Sequence, residues 1–249
     1  MKLYLALAVT IFLLSCNNQT TQSSNNQSHD TIATTTKYDN STEYDVSKEI
    51  LLGKFTPSDD SNFVLIPENM ASNKTMYCHR EVFAAYLAMR DSALKDGIML
   101  TIVSATRTFD RQRQIWERKW QNTQGNDSTK IRSIMRYSSM PGTSRHHWGT
   151  ELDFVSVETD YWEEGEGLRI YNWLCANAHK FGFYQPYTAD PSRTGYAEER
   201  WHWSYRPISE KYLEAYTQQI TAEDITGFSG SYLVDSLGII QSHVLGVAR

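Results

Sequence analysis

The stretch Ser144-Arg145-His146-His147-Trp148-Gly149-Thr150-Glu151-Leu152-Asp153 sets two metal-capable side chains, His146 and Asp153, on either side of a turn. Gly149 lets the chain fold back there, so both can reach one point, and residues 152–157 then read as a strand. A second segment, Glu199-Arg200-Trp201-His202-Trp203, lies on another predicted strand, 200–205. Alternation puts His202 and Ser204 on one face and Trp201, Trp203 and Tyr205 on the other. One strand can thus aim a ligand into a cleft while its opposite face packs a core.

Working outward, helices and strands mix without regular βαβ alternation and without an internal repeat. Residues 81–94 read as a helix with Val82, Tyr86, Met89 and Ala93 on one stripe, closed by Asp96-Gly97. Residues 98–103 read as a strand, 109–120 as a helix carrying Gln112, Ile115, Trp116 and Trp120, and 121–129 as a polar loop. Residues 168–180, 209–218 and 231–247 are expected helices, the last with Leu233, Leu237, Ile240, Val244 and Val247 on a packing face. The class expected is α+β with a largely antiparallel sheet.

Composition narrows the setting. The 249 residues suffice for a sizeable core, and 40% hydrophobic content describes a folded protein. A net charge of −5, with no Lys/Arg cluster, argues against a nucleic-acid partner. Residues 1–14 are one lysine followed by an apolar run too short to span a bilayer, and they lead into Leu13-Leu14-Ser15-Cys16. That junction resembles a bacterial lipobox, in which Cys16 becomes the lipidated first residue; an ordinary signal with an incidental Cys is the alternative. The expected organisation is a lipoprotein signal over 1–16, a polar tether over 17–45 and a catalytic domain over 46–249. As a flexible coil, a tether of roughly 28 residues reaches about 30 Å. Lipid anchoring would place the domain in a bacterial cell envelope, facing the periplasm or the exterior, as a monomer. Cys78 and Cys175 are expected to stay unbridged, since each falls in an apolar stretch read as helical.

The chemistry rests on a joint inventory. His146, Asp153 and His202 supply two imidazoles and a carboxylate, the three ligands of a hydrolytic zinc site that keeps a fourth position open. Two neutral imidazoles and one carboxylate would leave a bound ion with a residual positive charge that lowers the pKa of its water towards about 7. Glu199, three residues before His202, is the candidate general base. Arg107, after the strand in Ser104-Ala105-Thr106-Arg107, offers a permanent charge and planar fork for an oxyanion or a substrate carboxylate. Ser144 and Gln112 are candidate substrate hydrogen-bonders, or alternatively capping residues or supports behind the site's own residues. Taken singly, each has an ordinary structural reading: a hydrogen-bonded His–Asp pair, a solvated glutamate, a salt-bridged arginine. His147 is either a hydrogen-bonding neighbour of the metal or an outward-facing residue. Trp148, Tyr184 and Tyr187 line a groove or pack a core, and region 121–140 is expected to rim the cleft.

Together and in this order, the segments resemble the D-alanyl-D-alanine carboxypeptidases of the VanY type. Their signatures read Ser-x-His-x-x-Gly-x-Ala-x-Asp and Glu-x-x-His, preceded by Ser-Gly-Tyr-Arg-Ser, in a broader group with lysostaphin and the hedgehog signalling domain. The resemblance covers about residues 76–205. It implies that His146, Asp153 and His202 bind one zinc ion, that Glu199 is the base and that Arg107 assists at the substrate. It also implies a small antiparallel sheet flanked by helices, with zinc in an open groove, and peptidoglycan stem peptides as substrate. Two departures stand out: Glu151 occupies the Ala position, and Ser104-Ala105-Thr106 replaces Ser-Gly-Tyr. Both leave the zinc set intact and put the substrate subclass in question. Beside D,D-carboxypeptidase activity stand an L,D-carboxypeptidase, an endopeptidase on the same peptides, and a non-catalytic zinc-stabilised wall-binding module, against which Glu199 argues.

Overall fold

In chain order the elements are α1 (Lys48–Leu51), β1 (Phe63–Leu65), β2 (Tyr77–His79), α2 (Arg80–Lys95), β3 (Ile102–Ser104), α3 (Phe109–Asn122) and α4 (Asp127–Ile134). Then come β4 (Glu151–Phe154), α5 (Gly165–Asn177), β5 (Phe183–Tyr184), β6 (His202–Tyr205) and α6 (Arg206–Gln219). The computed structural model describes residues 46–72 and 75–248; the signal segment with Cys16 and the tether 17–45 lie outside these. Strands β3-β4-β6-β5 form one antiparallel sheet in that order, and β1 and β2 form a separate hairpin. The α+β expectation is met.

Two pairings fix the geometry that matters. On β4 and β6, Asp153 stands opposite His202 and Glu151 opposite Ser204. Directly opposed residues share a face, so all four side chains project to the same side of the sheet. Ser104 of β3 pairs with Asp153 across an irregularity after Ile102, which brings the following Arg107 loop to that same side.

The helices form where pattern and caps agree. On α2 the stripe Val82, Tyr86, Met89 and Ala93 is fully buried, and Gly97 turns left-handed just beyond it. At the start of α3, Thr108 accepts from the Arg111 amide at 3.3 Å. Pro207 sits in the first turn of α6, where its missing N–H costs nothing. Trp148 belongs to the core: it contacts the rings of Tyr212 and Tyr216 and donates from Nε1 to the Leu51 carbonyl at 3.2 Å. It thereby anchors the 3-10 turn Arg145–Trp148 that carries His146. Truncation to Ala would cost about 3–5 kcal/mol.

Several expectations need correction. Residues 231–247 are not one helix but a 3-10 turn, Ser231–Leu233, and a π-type turn, Ile240–Val244. Gly238 adopts φ +59° between them, and of the buried set Val234, Ile239, Val244 and Val247 the first three are spaced by five, which fits no α-helical face. The stretch 121–129 is less of a loop than its polarity implies, because Asn126 caps α4 by accepting from the Thr129 amide at 2.9 Å. In 98–103, Ile98, Leu100 and Ile102 do turn inward, yet only Ile102–Ser104 is ladder-paired. Cys78 lies on β2; it and Cys175 are free thiols, the first buried and the second exposed.

Candidate metal centre

The turn at Gly149 delivers the first candidate ligand. Gly149 has φ +70°, and a Cβ there would come within 2.4 Å of the Phe63 ring, so only glycine makes this reversal. The preceding 3-10 turn aims His146 inward. Its Nδ1 donates to the Ala105 carbonyl at 2.8 Å, which leaves Nε2 as the free lone pair. That Nε2 lies 3.2 Å from Nδ1 of His202 and 3.2 Å from Oδ2 of Asp153. Nδ1 of His202 lies 2.9 Å from Oδ1 of Asp153. The three ligand atoms fall within 4.8 Å of one another, and all three residues are buried.

Glu199 completes the group: its Oε2 is 3.9 Å from Nδ1 of His202, and its side chain borders the main groove. Burial, reinforced by the Asp153 charge, pushes its carboxyl up to about 7 against the pull of His202 and Arg107. The ligands are poised differently. Burial and the Arg107 charge hold the His146 imidazole down at about 4, hence neutral. Burial opposes charge on His202, but hydrogen bonds to Asp153 and Glu151 outweigh it and raise the ring to about 9. Asp153, although buried, is held well below the usual carboxylate range by His146 and His202.

The backbone of Arg107 is pinned on both sides. Its N–H donates to the His146 carbonyl at 3.0 Å, and its own carbonyl accepts from Nδ1 of His147 at 2.6 Å. The guanidinium then borders both an open groove of about 830 Å³ and a small pocket of about 20 Å³ beside His146, His202 and Glu199. Ser144 lines that small pocket. Oγ of Ser144 and Nε of Arg107 are buried without a hydrogen-bond partner among the described residues, as groups awaiting a ligand would be. Gln112 stands apart: it is fully buried, absent from the walls of either cavity, and donates to the Ser139 carbonyl at 2.7 Å. It shapes the 138–139 rim rather than reaching the groove.

For three residues the sequence leaves the role open and the structure gives the contacts. His147 points inward and latches two loops, since its Nε2 also accepts from the Gly142 amide at 3.0 Å. Tyr187 packs its ring 4.7 Å from that of His202. Glu151 contacts His202 directly: its Oε2 is 2.9 Å from Nε2. Strand alternation was the available signal, because Glu151 and Asp153 are two apart on β4.

Two imidazoles and a carboxylate converging from three segments, with a fourth side open to a groove, fit zinc by donor type and number. Such a donor set, in a protein of α+β fold, could hold a metal ion. The family model for D-alanyl-D-alanine carboxypeptidase, VanY, matches residues 75–208, and the chain belongs to that family. Among curated relatives, a D-alanyl-D-alanine carboxypeptidase of Enterococcus faecalis is 28% identical over 138 residues, 54% of this chain and 50% of that protein. The chain therefore spans about half the length of that relative. Among solved structures, the LdcB LD-carboxypeptidase is 25% identical with a TM-score of 0.50, covering 68% of this chain and 81% of that one. A mutant of the D,D-pentapeptidase VanY from a VanB-type resistance cassette, solved with Zn(II), is 24% identical with a TM-score of 0.47, covering 65% of this chain and 93% of that one.

Proposed function

We propose that this protein is a zinc-dependent carboxypeptidase that trims peptidoglycan stem peptides, removing the terminal D-alanine of a D-Ala-D-Ala end. The observation that carries the reading is the convergence of His146, Asp153 and His202 within 4.8 Å, with Glu199 3.9 Å from His202 at the groove wall. A bound zinc ion would supply Lewis acidity, acidifying water and polarising the scissile carbonyl. His146 and His202 present Nε2 and Nδ1, and Asp153 balances charge. Glu199 takes the proton of the attacking water at its carboxylate and returns it to the leaving amine. Its carboxyl, raised to about 7 in the metal-free protein, is matched to exchange a proton near neutrality. Arg107 and Ser144 offer donors to a substrate carboxylate or developing oxyanion in the adjoining pocket.

The likeness to the LdcB LD-carboxypeptidase supports a second reading, cleavage at an L,D bond. Mass spectrometry of defined muropeptides separates the two. Loss of one alanine from a pentapeptide, with the tetrapeptide inert, fits the D,D reading; loss of alanine from the tetrapeptide fits the L,D reading. Internal fragments would point to an endopeptidase. No hydrolysis, with equal wall-fragment binding by wild type and Glu199→Ala, would reduce the protein to a binding module. Anchoring through Cys16 belongs to the same proposal: a palmitate analogue should label the wild type and not Cys16→Ala.

A further inference from the structure

The ring of His202 is held at both nitrogens. Nδ1 faces Asp153 and His146, and Nε2 faces Oε2 of Glu151 at 2.9 Å. Glu151 is fully buried, and its other oxygen, Oε1, accepts from Arg145 at 3.1 Å, Ser204 at 2.8 Å and Thr150 at 3.0 Å. Arg145 is itself sealed at 1% exposure. It lies over the Trp148 ring and donates to the hydroxyls of Tyr184 at 3.0 Å and Ser204 at 2.9 Å. Oγ of Ser204 is also 2.9 Å from Oγ of Ser209 in the first turn of α6. β4, β5, β6, α6 and the His146 turn therefore all meet at one buried carboxylate behind the metal ligands.

Stability alone does not account for that carboxylate. Burying an Arg–Glu pair costs about as much desolvation as its attraction returns, and apolar residues of the same volume commonly do as well. The contact an apolar pair could not reproduce is the one to His202. A ligating imidazole needs its other N–H accepted, which fixes the tautomer and ring plane and raises the basicity of the ligand nitrogen.

We propose that Glu151 is a positioning residue for zinc: it accepts the Nε2 proton of His202, commits Nδ1 to the metal, and is itself oriented by Arg145, Ser204 and Thr150. Glu151 does not ligate. The proposal rests on reading His202 as a zinc ligand. The position departs from the VanY-type signature, which usually has Ala at the equivalent of 151.

Zinc affinity, measured by chelator competition on the full protein, is the primary test, together with the visible spectrum of the cobalt(II)-substituted form and the melting temperature of the metal-free form. Two variants are needed: Glu151→Gln, and the double substitution Arg145→Met with Glu151→Leu, which leaves no unpaired buried charge. Zinc binding should weaken about 10–100-fold in both, with shifted cobalt bands, while the metal-free double variant melts no lower than wild type. Should Glu151→Gln fail to fold, the double variant decides. If the double variant binds zinc within about twofold of wild type with unchanged cobalt bands, Glu151 serves packing only and the proposal falls. A wild-type protein that takes up no zinc would instead overturn the underlying metal site, an outcome distinct from the first.

Discussion

Oε2 of Glu199 stands 3.9 Å from Nδ1 of His202: close enough to reach a group held at the metal position, yet outside the triad that converges there. The two residues are three apart, and the turn that ends at β6 would let His202 ligate a metal while Glu199 stays free. Glu199→Gln should therefore keep stoichiometric zinc while hydrolysis falls about 10²–10⁴-fold. Metal analysis beside product mass spectrometry checks both halves; a variant retaining activity within about tenfold of wild type would remove Glu199 from the base role.

The same carboxylate sets a pH signature in the metal-free protein. Its folded value of about 7 lies above the ordinary 4.5, so the folded state holds the proton more tightly than the unfolded one. Its ionisation opposes folding: the penalty is absent below pH 4.5, grows through the interval and is complete above pH 7. Metal-free Glu199→Gln should thus be more stable than wild type at pH 8, by about 3 kcal/mol, and nearly equal to it at pH 4.5. Denaturant melts with chelator present measure this; a gap that does not depend on pH would contradict it.

His202 is raised to about 9 without metal, and at pH 7 it carries protons on both nitrogens. Zinc must displace the one on Nδ1. Uptake at pH 7 should release about one proton from His202, and affinity should decline as pH falls. Titration calorimetry in buffers of different ionisation enthalpy reads the count, and enthalpies independent of buffer would refute it.

Arg111, Ile115, Arg118 and Lys119 recur at helical spacing along α3, and all line the large groove. Three cations on one wall suit a peptide bearing carboxylates. Arg118→Glu should raise KM severalfold for an acidic stem peptide with kcat nearly unchanged, an effect that fades as salt is added. An effect on kcat alone, or one insensitive to salt, would argue against this wall as a substrate surface.

Gly53, at φ +73°, leaves room for His147: a Cβ there would lie 2.3 Å from its Nδ1. Gly53→Ala should displace the ring, break its bond to the Arg107 carbonyl and destabilise the fold by about 1–3 kcal/mol. Activity should drop together with stability, because Arg107 loses its anchor. Wild-type melting and kinetics in this variant would show that the latch is dispensable.

How far each feature could be read ahead depended on the range of the interaction behind it. The stripe Val82, Tyr86, Met89 and Ala93 was legible because helical periodicity is local. Residues 231–247 were misread because apolar residues recur there too, while the left-handed Gly238 and the spacing of the truly buried residues reflect packing against distant segments. The site shows the same division. His146, Asp153, Glu199 and His202 stood out by type and order, whereas Gln112 gave no sign that it would serve the Ser139 carbonyl instead of a ligand.

What the chain determines by itself is an inventory and its punctuation: two imidazoles, two carboxylates and a guanidinium, with a glycine where the backbone must reverse. Those follow from side-chain chemistry and short-range sterics. Only the tertiary structure decides that Asp153 faces His202 across two strands, that Nδ1 rather than Nε2 of His202 turns towards His146 and Asp153, and that Glu151 with Arg145 stands behind it. Strand register and the exclusion of water are properties of distant segments packed together, and no stretch of sequence carries them alone.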